Sequence, residues 1–367
     1  MKTIAICSNI PVFWDNKILD ENHCLKYPGA SWMPIFAKIA KENGYDVVSG
    51  DIALKNILKS HNIFVIQELN AKHGLKLLKK GAIGAVLTAG ESPIFSYYFY
   101  DNIAKIAKKF KVRKLFKDSF NFINANGKNT PMYFPSYFTT KKRDIIPWNK
   151  REFSVMVAAN KSINAPLPQG LKNQIIWLIH KTYKLYSPSF KRYSKKELHS
   201  KRLEIIKYFG NKSKIDLYGA NWLDFKRFNY IELKDLKPIL KNLNPSFCED
   251  KIKTISNYKF TFCLENISMK GYVTEKIIDC LVAGTIPIYL GAPDICDFVS
   301  KECFIDMRDF KSMKELEYFL QNLDEDKAYK MIESGQKFLD SKDGQNFSYE
   351  YFAKNMMSLI REIDDNN

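Results

Sequence analysis

YKFTFCLENISMKGYVTEKIIDCLVAGTIPIYLGAPDI, from Tyr258 to Ile295, reads as a buried strand, a polar loop, a helix and a second buried strand. That succession belongs to a parallel sheet with crossover helices. In such a sheet the residues after a strand's carboxyl end, and those opening the next helix, face the ligand crevice. Glu265, Asn266, Tyr272, Thr274, Glu275 and Lys276 all fall there.

The same rhythm extends in both directions. FSVMVAAN, LEIIKYF, KIDLYG and CEDKIKTISNY precede the stretch as alternating strand and helix candidates, and SMKELEYFLQNL and NFSYEYFAKNMMSLIREI follow it as closing helices. The N-terminal half repeats the alternation with KTIAICS, SWMPIFAKIAKENG, YDVVSG, IFVIQE, a Lys-rich helix and AIGAVLTAG. Ile35, Phe36, Ile39 and Ala40 recur at helical spacing, and Gly44 is placed to end that helix. PMYFPSYFTTKKRDIIPWNK, with three prolines and a basic cluster, breaks the pattern and marks a boundary. The expected fold class is therefore α/β, with two doubly wound Rossmann-like domains over residues 1–145 and 146–345 and a closing helix over 346–367.

A chain of 367 residues exceeds what one core usually serves, and 46% apolar residues supply material for two. The formal charge of +17 favours anionic partners. The excess is concentrated in KTYKLYSPSFKRYSKKELHSKR, which suits either a solvated face or, with its interleaved Tyr and Phe, an acidic membrane surface. Nucleic acid is a poor fit, because the sequence has no C₂H₂ pattern, RNP-like motif or basic recognition helix. The seven cysteines are scattered, without a CxxC, as in a reducing compartment. MKTIAICSNIPVFWD reads as a first strand, and no run reaches the roughly 18 apolar residues of a bilayer span. A cytoplasmic protein, in peripheral contact with the inner membrane at most, is the expectation.

The residue types in the crevice suit a nucleotide-sugar. A carboxylate such as Glu275 accepts hydrogen bonds from sugar hydroxyls, and Lys276 offers a point charge to a pyrophosphate. Tyr272 can cover an apolar ring face, and the first helical turn adds unpaired N–H groups and the positive end of a dipole. The same letters also fit an ordinary helix start, with Thr274 as cap and two solvent-facing charges.

FCLEN, GYVTEK and IPIYLG, in this order and tight spacing, resemble the donor-binding signature of the α1,3/4-fucosyltransferases, glycosyltransferase family 10. The resemblance implies a GT-B-like fold whose two domains face a cleft. It also implies GDP-fucose as donor substrate, no tightly bound cofactor, and contacts to the donor from Asn266, Tyr272, Glu275 and Lys276. Leu264, where the family usually has an aromatic, and Ile267, where a small hydroxyl residue is common, depart from the pattern. They leave room for another GDP-linked or deoxy sugar. AGESPIF resembles the family's E-S-P element, which makes Glu91 the candidate general base, although a turn capped by Ser92 and Pro93 reads equally well from the residues. SKRLEIIKYFGN resembles the Arg-led helix that follows a strand ending in Ser-Asn; here the strand ends at Asn160, and Arg202 becomes the candidate pyrophosphate clamp. The insertion between them carries the basic patch.

The resemblance further implies a single displacement with inversion, Glu91 taking the acceptor proton while Arg202 and Lys276 stabilise departing GDP. The acceptor would be the N-acetylglucosamine of a lactosamine-like glycan, α1,3-linked, on a surface lipopolysaccharide. Asp324, Glu325 and Asp326 match an Asp-x-Asp metal element in form, but they precede a helix, where acids complement the dipole, and no buried strand leads into them. The five histidines show no metal-ligand spacing, so no metal site is assigned.

Overall fold

The computed structural model describes residues 2–27, 29–56, 62–69, 71–88, 91–116, 120–123, 129–130, 133, 135–137, 145–161, 170–223 and 235–367. The chain divides into two units, Met1–Thr139 with Gln345–Asn367, and Thr140–Gly344. Of 131–150, the stretch read as the boundary, residues 131, 132, 134 and 138–144 lie outside the described residues.

In the first unit a seven-stranded sheet is built from β1 (Lys2–Cys7), β2 (Tyr45–Ser49), β3 (Ile63–Glu68), β4 (Ile83–Thr88), β5 (Val112–Phe116), β6 (Phe120–Ile123) and β7 (Asn129–Thr130). Its order is β2-β1-β3-β4-β5-β6-β7. The first five strands are parallel, and β1 and β3 bury four and five consecutive residues, as strands covered on both faces must. The antiparallel β6 and β7 were not read from the sequence; only 117–119 separate β5 from β6, too few residues for a parallel crossover. Helix α1 (Trp32–Glu42) buries Trp32, Phe36 and Ala40, and Gly44, at φ +83°, turns the chain into β2. Helix α2 (Lys72–Lys79) connects β3 to β4.

The second unit holds β8 (Glu152–Val157), β9 (Asp216–Tyr218), β10 (Tyr258–Leu264), β11 (Ile286–Leu290) and β12 (Ile305–Asp306), all parallel, in the order β9-β8-β10-β11-β12. Its longer helices are α3 (Leu171–Tyr186), α4 (His199–Gly210), α5 (Glu275–Ala283), α6 (Met313–Gln321) and α7 (Glu325–Asp340). Phe209, Leu217, Phe260, Phe262, Ile286 and Ile288 form the centre of its core. Gly284, at φ +68°, ends α5 and directs the chain into β11. Asp324 caps α7 through the Lys327 N–H at 3.2 Å, with Glu325 and Asp326 in the first turn, the helix-start reading of that acidic triplet.

The last helix, α8 (Tyr349–Asp365), does not stand as a separate closing element. Phe352, Met356 and Ile360 enter the core of the first unit, the Phe352 ring meets that of Trp32 at 5.0 Å, and Lys2 pairs with Asp364 at 2.6 Å. The domain assembled from 1–139 thus takes its final helix from the far end of the chain.

Gly219, just after β9, is held at φ +129°, and a Cβ there would lie 2.1 Å from the Ala158 carbonyl oxygen beyond β8. Gly219→Ala must strain the backbone or part these strand ends, a cost on the order of 3 kcal/mol. The urea midpoint of unfolding should fall accordingly; an unchanged midpoint contradicts this close approach.

Candidate functional site

In both units the first strand lies between the second and the third, so the crevice opens where the chain switches direction, at the carboxyl ends of those central strands. In the second unit these ends are Ala158–Asn160 after β8 and Glu265–Asn266 after β10.

Glu265 is fully buried at the end of β10. Its carboxylate accepts the Thr274 N–H at 2.8 Å, the Thr274 hydroxyl at 2.8 Å and the Lys276 ammonium at 2.9 Å. Lys276 also donates to Thr274 Oγ1 at 2.7 Å and lies 3.5 Å from Glu275. Burial opposes the charge on Lys276, but Glu265 and Glu275 outweigh it and hold its pKa above the ordinary value. Thr274 sits at the N-cap of α5, yet its hydroxyl makes no capping bond to the helix backbone and is turned to Glu265. Burial would push the Glu275 carboxyl up, but Lys276, Lys251, its own backbone N–H and the Thr274 hydroxyl hold it down at about 2. One turn on, Asp279 pairs with Lys251 at 2.6 Å; burial pushes its carboxyl up to about 6, with Lys251 opposing and Glu275 adding to the rise.

Arg202 projects from α4 into the same strand end. Its Nη2 donates to the carbonyls of Leu264 at 2.7 Å and Glu265 at 3.0 Å and to Asn266 Oδ1 at 3.1 Å. With 4% of its surface exposed, it anchors the loop from within. The Leu198 N–H donates to the Asn266 carbonyl at 3.1 Å, the Ser268 N–H to that of Lys196 at 2.8 Å, and Asp294 accepts the Gly271 N–H at 2.9 Å. The loop is therefore fastened along its length before any ligand arrives.

Arg202, Asn266, Glu275 and Lys276 are brought together around one strand end and one helix start. Tyr272 lies close by but is 2% exposed, so it presents no open ring face. Leu264 and Ile267, the departures from the signature, are buried as well, so both substitutions fall in packing. Sequence reasoning gave no role to Lys251, Asn160 or His199. Asn160 Oδ1 and His199 Nδ1 are buried polar atoms without a hydrogen-bond partner among the described residues; the His199 ring lies parallel to that of Trp222, and burial followed by nearby Arg202 lowers its pKa to about 4.

In the first unit Glu91 follows β4 in a half-buried turn. Its Oε1 accepts the Ser92 N–H at 3.1 Å, and the Ser92 carbonyl accepts those of Phe95 and Ser96 at 3.0 Å, so the turn reading of this element holds locally. A second carboxylate, Glu68, ends β3 and accepts the Ser8 hydroxyl from the end of β1 at 3.2 Å. Burial raises the Glu68 pKa, Ser8 opposes the rise, and the like charge of Glu91 adds to it. Among the described residues no cluster of three or more His, Cys, Asp or Glu is arranged to hold a metal ion.

Residues 189–332 match the family model described as glycosyltransferase family 10 (fucosyltransferase), C-terminal. Residues 189–332 thus carry a glycosyltransferase family 10 C-terminal region. Arg202, Asn266, Tyr272, Glu275 and Lys276 all lie within the matched family 10 region, whereas Glu91 lies outside it. The chain is 29% identical over 144 residues to the α-(1,3)-fucosyltransferase FucT of Helicobacter pylori, covering 38% of this chain and 30% of that protein. It is 42% identical over 72 residues to the α-(1,4)-fucosyltransferase of Arabidopsis thaliana, covering 20% and 18%. The matched stretches thus span less than a third of these relatives. A solved α1,3-fucosyltransferase with GDP-fucose superposes with a TM-score of 0.51 at 17% identity, over 99% of this chain and 90% of that one, which shows the GT-B fold.

The family 10 region is braced by Glu317 on α6, whose side chain is 8% exposed and which receives Lys212 and Lys214 at 2.5 Å and the Tyr208 hydroxyl at 2.7 Å. Burial opposes ionisation, but these donors hold the carboxyl at about 2. Its folded pKa lies below the unfolded value of about 4.3, so the stabilisation is present above that value and disappears as pH falls towards 2. Glu317→Gln should lower the thermal midpoint by roughly 2–4 °C at neutral pH, with the gap closing in acid. A gap that does not vary with pH contradicts the assignment.

Proposed function

We propose that this protein transfers L-fucose from GDP-fucose to a glycan hydroxyl, with inversion at the anomeric carbon. The observation that carries the reading is the Glu265–Thr274–Lys276 constellation, which holds an ammonium at the start of α5 inside the region matched to family 10. Lys276 faces the pyrophosphate. The first-turn N–H groups of α5, left uncapped by Thr274, add donors there. Glu275, ionised across the physiological range, accepts hydrogen bonds from ribose or fucose hydroxyls. Arg202 acts mainly through Asn266 and the loop carbonyls, lending positive charge to the leaving group while its Nη2 keeps the loop in place. Asn160 Oδ1, at the crevice and unpartnered, suits a donor N–H of the ligand. Glu91, on the acceptor-side domain, removes the proton from the attacking hydroxyl.

The acceptor in this reading is the N-acetylglucosamine of a lactosamine-like unit, with an α1,3 bond. The relatives named above differ in linkage, α1,3 in one and α1,4 in the other. Incubation with GDP-fucose and a glycan array, followed by linkage analysis, tests the proposal, with GDP-mannose and UDP-sugars as competing donors. A fucosylated lactosamine carrying an α1,3 bond is the expected product. Transfer from another nucleotide sugar in preference to GDP-fucose contradicts it.

A further inference from the structure

Helix α3 carries its apolar face on the outside. Placed at 100° per residue, Leu171, Ile175, Leu178, Ile179, Leu185 and Tyr186 form one continuous stripe along roughly 24 Å of helix. Each of the six is exposed, from 53% at Ile175 to 75% at Leu171 and Tyr186, and the helix buries no residue. Of the four less exposed positions, Trp177 and Lys184 fall on the opposite side, and Gln174 and Tyr183 flank the stripe. An amphipathic helix that covers a core is turned the other way, so this face is built for contact with something other than its own domain.

The charge around it identifies the occupant. From Phe153 to Lys196 the sequence contains no Asp or Glu, while Lys161, Lys172, Lys181, Lys184, Lys191, Arg192, Lys195 and Lys196 are all cationic. Lys172 and Lys181 on α3, and Lys191, Arg192, Lys195 and Lys196 just beyond it, are exposed. No described helix is long and apolar enough to cross a membrane, and α3 with its lysines belongs to the class that lies in the plane of the interface.

We propose that α3 docks on an anionic lipid surface, its Leu171–Tyr186 stripe entering the acyl boundary while the lysines and Arg192 meet acidic head groups. The basic segment leads directly into the donor loop, since the Lys196 carbonyl accepts the Ser268 N–H and Leu198 donates to Asn266. Docking would therefore hold the donor loop near the bilayer, where a lipid-linked glycan is presented.

Vesicle sedimentation tests this with the full chain. The protein should sediment with vesicles of phosphatidylcholine containing about one-third phosphatidylglycerol, and about tenfold less with phosphatidylcholine alone. Added salt should release it. Ile175→Glu with Ile179→Glu should abolish sedimentation without changing the circular dichroism or thermal midpoint, because neither side chain is buried. Lys191→Gln with Arg192→Gln should weaken it while leaving the apolar stripe intact. Equal binding to both vesicle types overturns the proposal. So does a concentration-dependent dimer, dissolved by the Ile175 and Ile179 substitutions, in a protein that ignores vesicles.

Discussion

Lys276→Met is expected to lower kcat/KM for sugar transfer by about 10²–10³-fold, the value of a charge-assisted contact to a departing diphosphate. The same change should also destabilise the fold, because Glu265 is fully buried and Lys276 is the only cationic hydrogen-bond donor to its carboxylate among the described residues. An uncompensated buried carboxylate costs about 3–5 kcal/mol, less here because Thr274 still donates twice. Adding Glu265→Gln removes the orphaned charge. The double variant should therefore regain much of the lost thermal midpoint and none of the lost activity. Recovery of both together would mean that Lys276 serves the fold and not the donor.

Glu91→Gln should reduce turnover by about 10²–10⁴-fold while GDP affinity stays unchanged, as expected for a base that acts on the acceptor. The amide can still accept the Ser92 N–H that shapes the turn, so the local backbone should persist. Glu68 provides the internal comparison. Its carboxyl is buried, bonded to Ser8 and sensitive to Glu91, so Glu68→Gln tests whether the second carboxylate shares the proton. A large loss in Glu68→Gln with near-normal Glu91→Gln would move the base to β3. Steady-state rates with saturating GDP-fucose, set beside GDP titrations of each variant, distinguish the two.

Much of the fold was legible because its signals are local. KFTFCLE and TIPIYLG are apolar runs of strand length, TEKIIDCLVAG has a helical stripe and a terminal glycine, and all three elements lie where their letters place them. Helix α3 was not legible, since its residues sit in a basic insertion and its apolar positions meet no core that would announce them. The place of α8 was equally hidden: its stripe shows that it packs, and contacts such as that of Phe352 with Trp32 show on which domain. The candidate site divides the same way. Glu275 and Lys276 follow from a motif, whereas the bond between Lys276 and Glu265 joins residues 11 apart across a strand end and a helix start. Pairing Glu68 with Ser8 requires the order β1-β3, which no local pattern encodes. Tyr272 shows the converse, a residue type suited to stacking that lies 2% exposed beside the loop.

The measurement that bears most directly on the donor loop is a calorimetric titration of GDP into the wild-type protein and into the Lys276→Met/Glu265→Gln variant. Saturable binding in the first, weakened by about two orders of magnitude in a second protein of near wild-type stability, is the predicted result. Absence of GDP binding by the wild type, or equal affinity in the two proteins, would contradict the account.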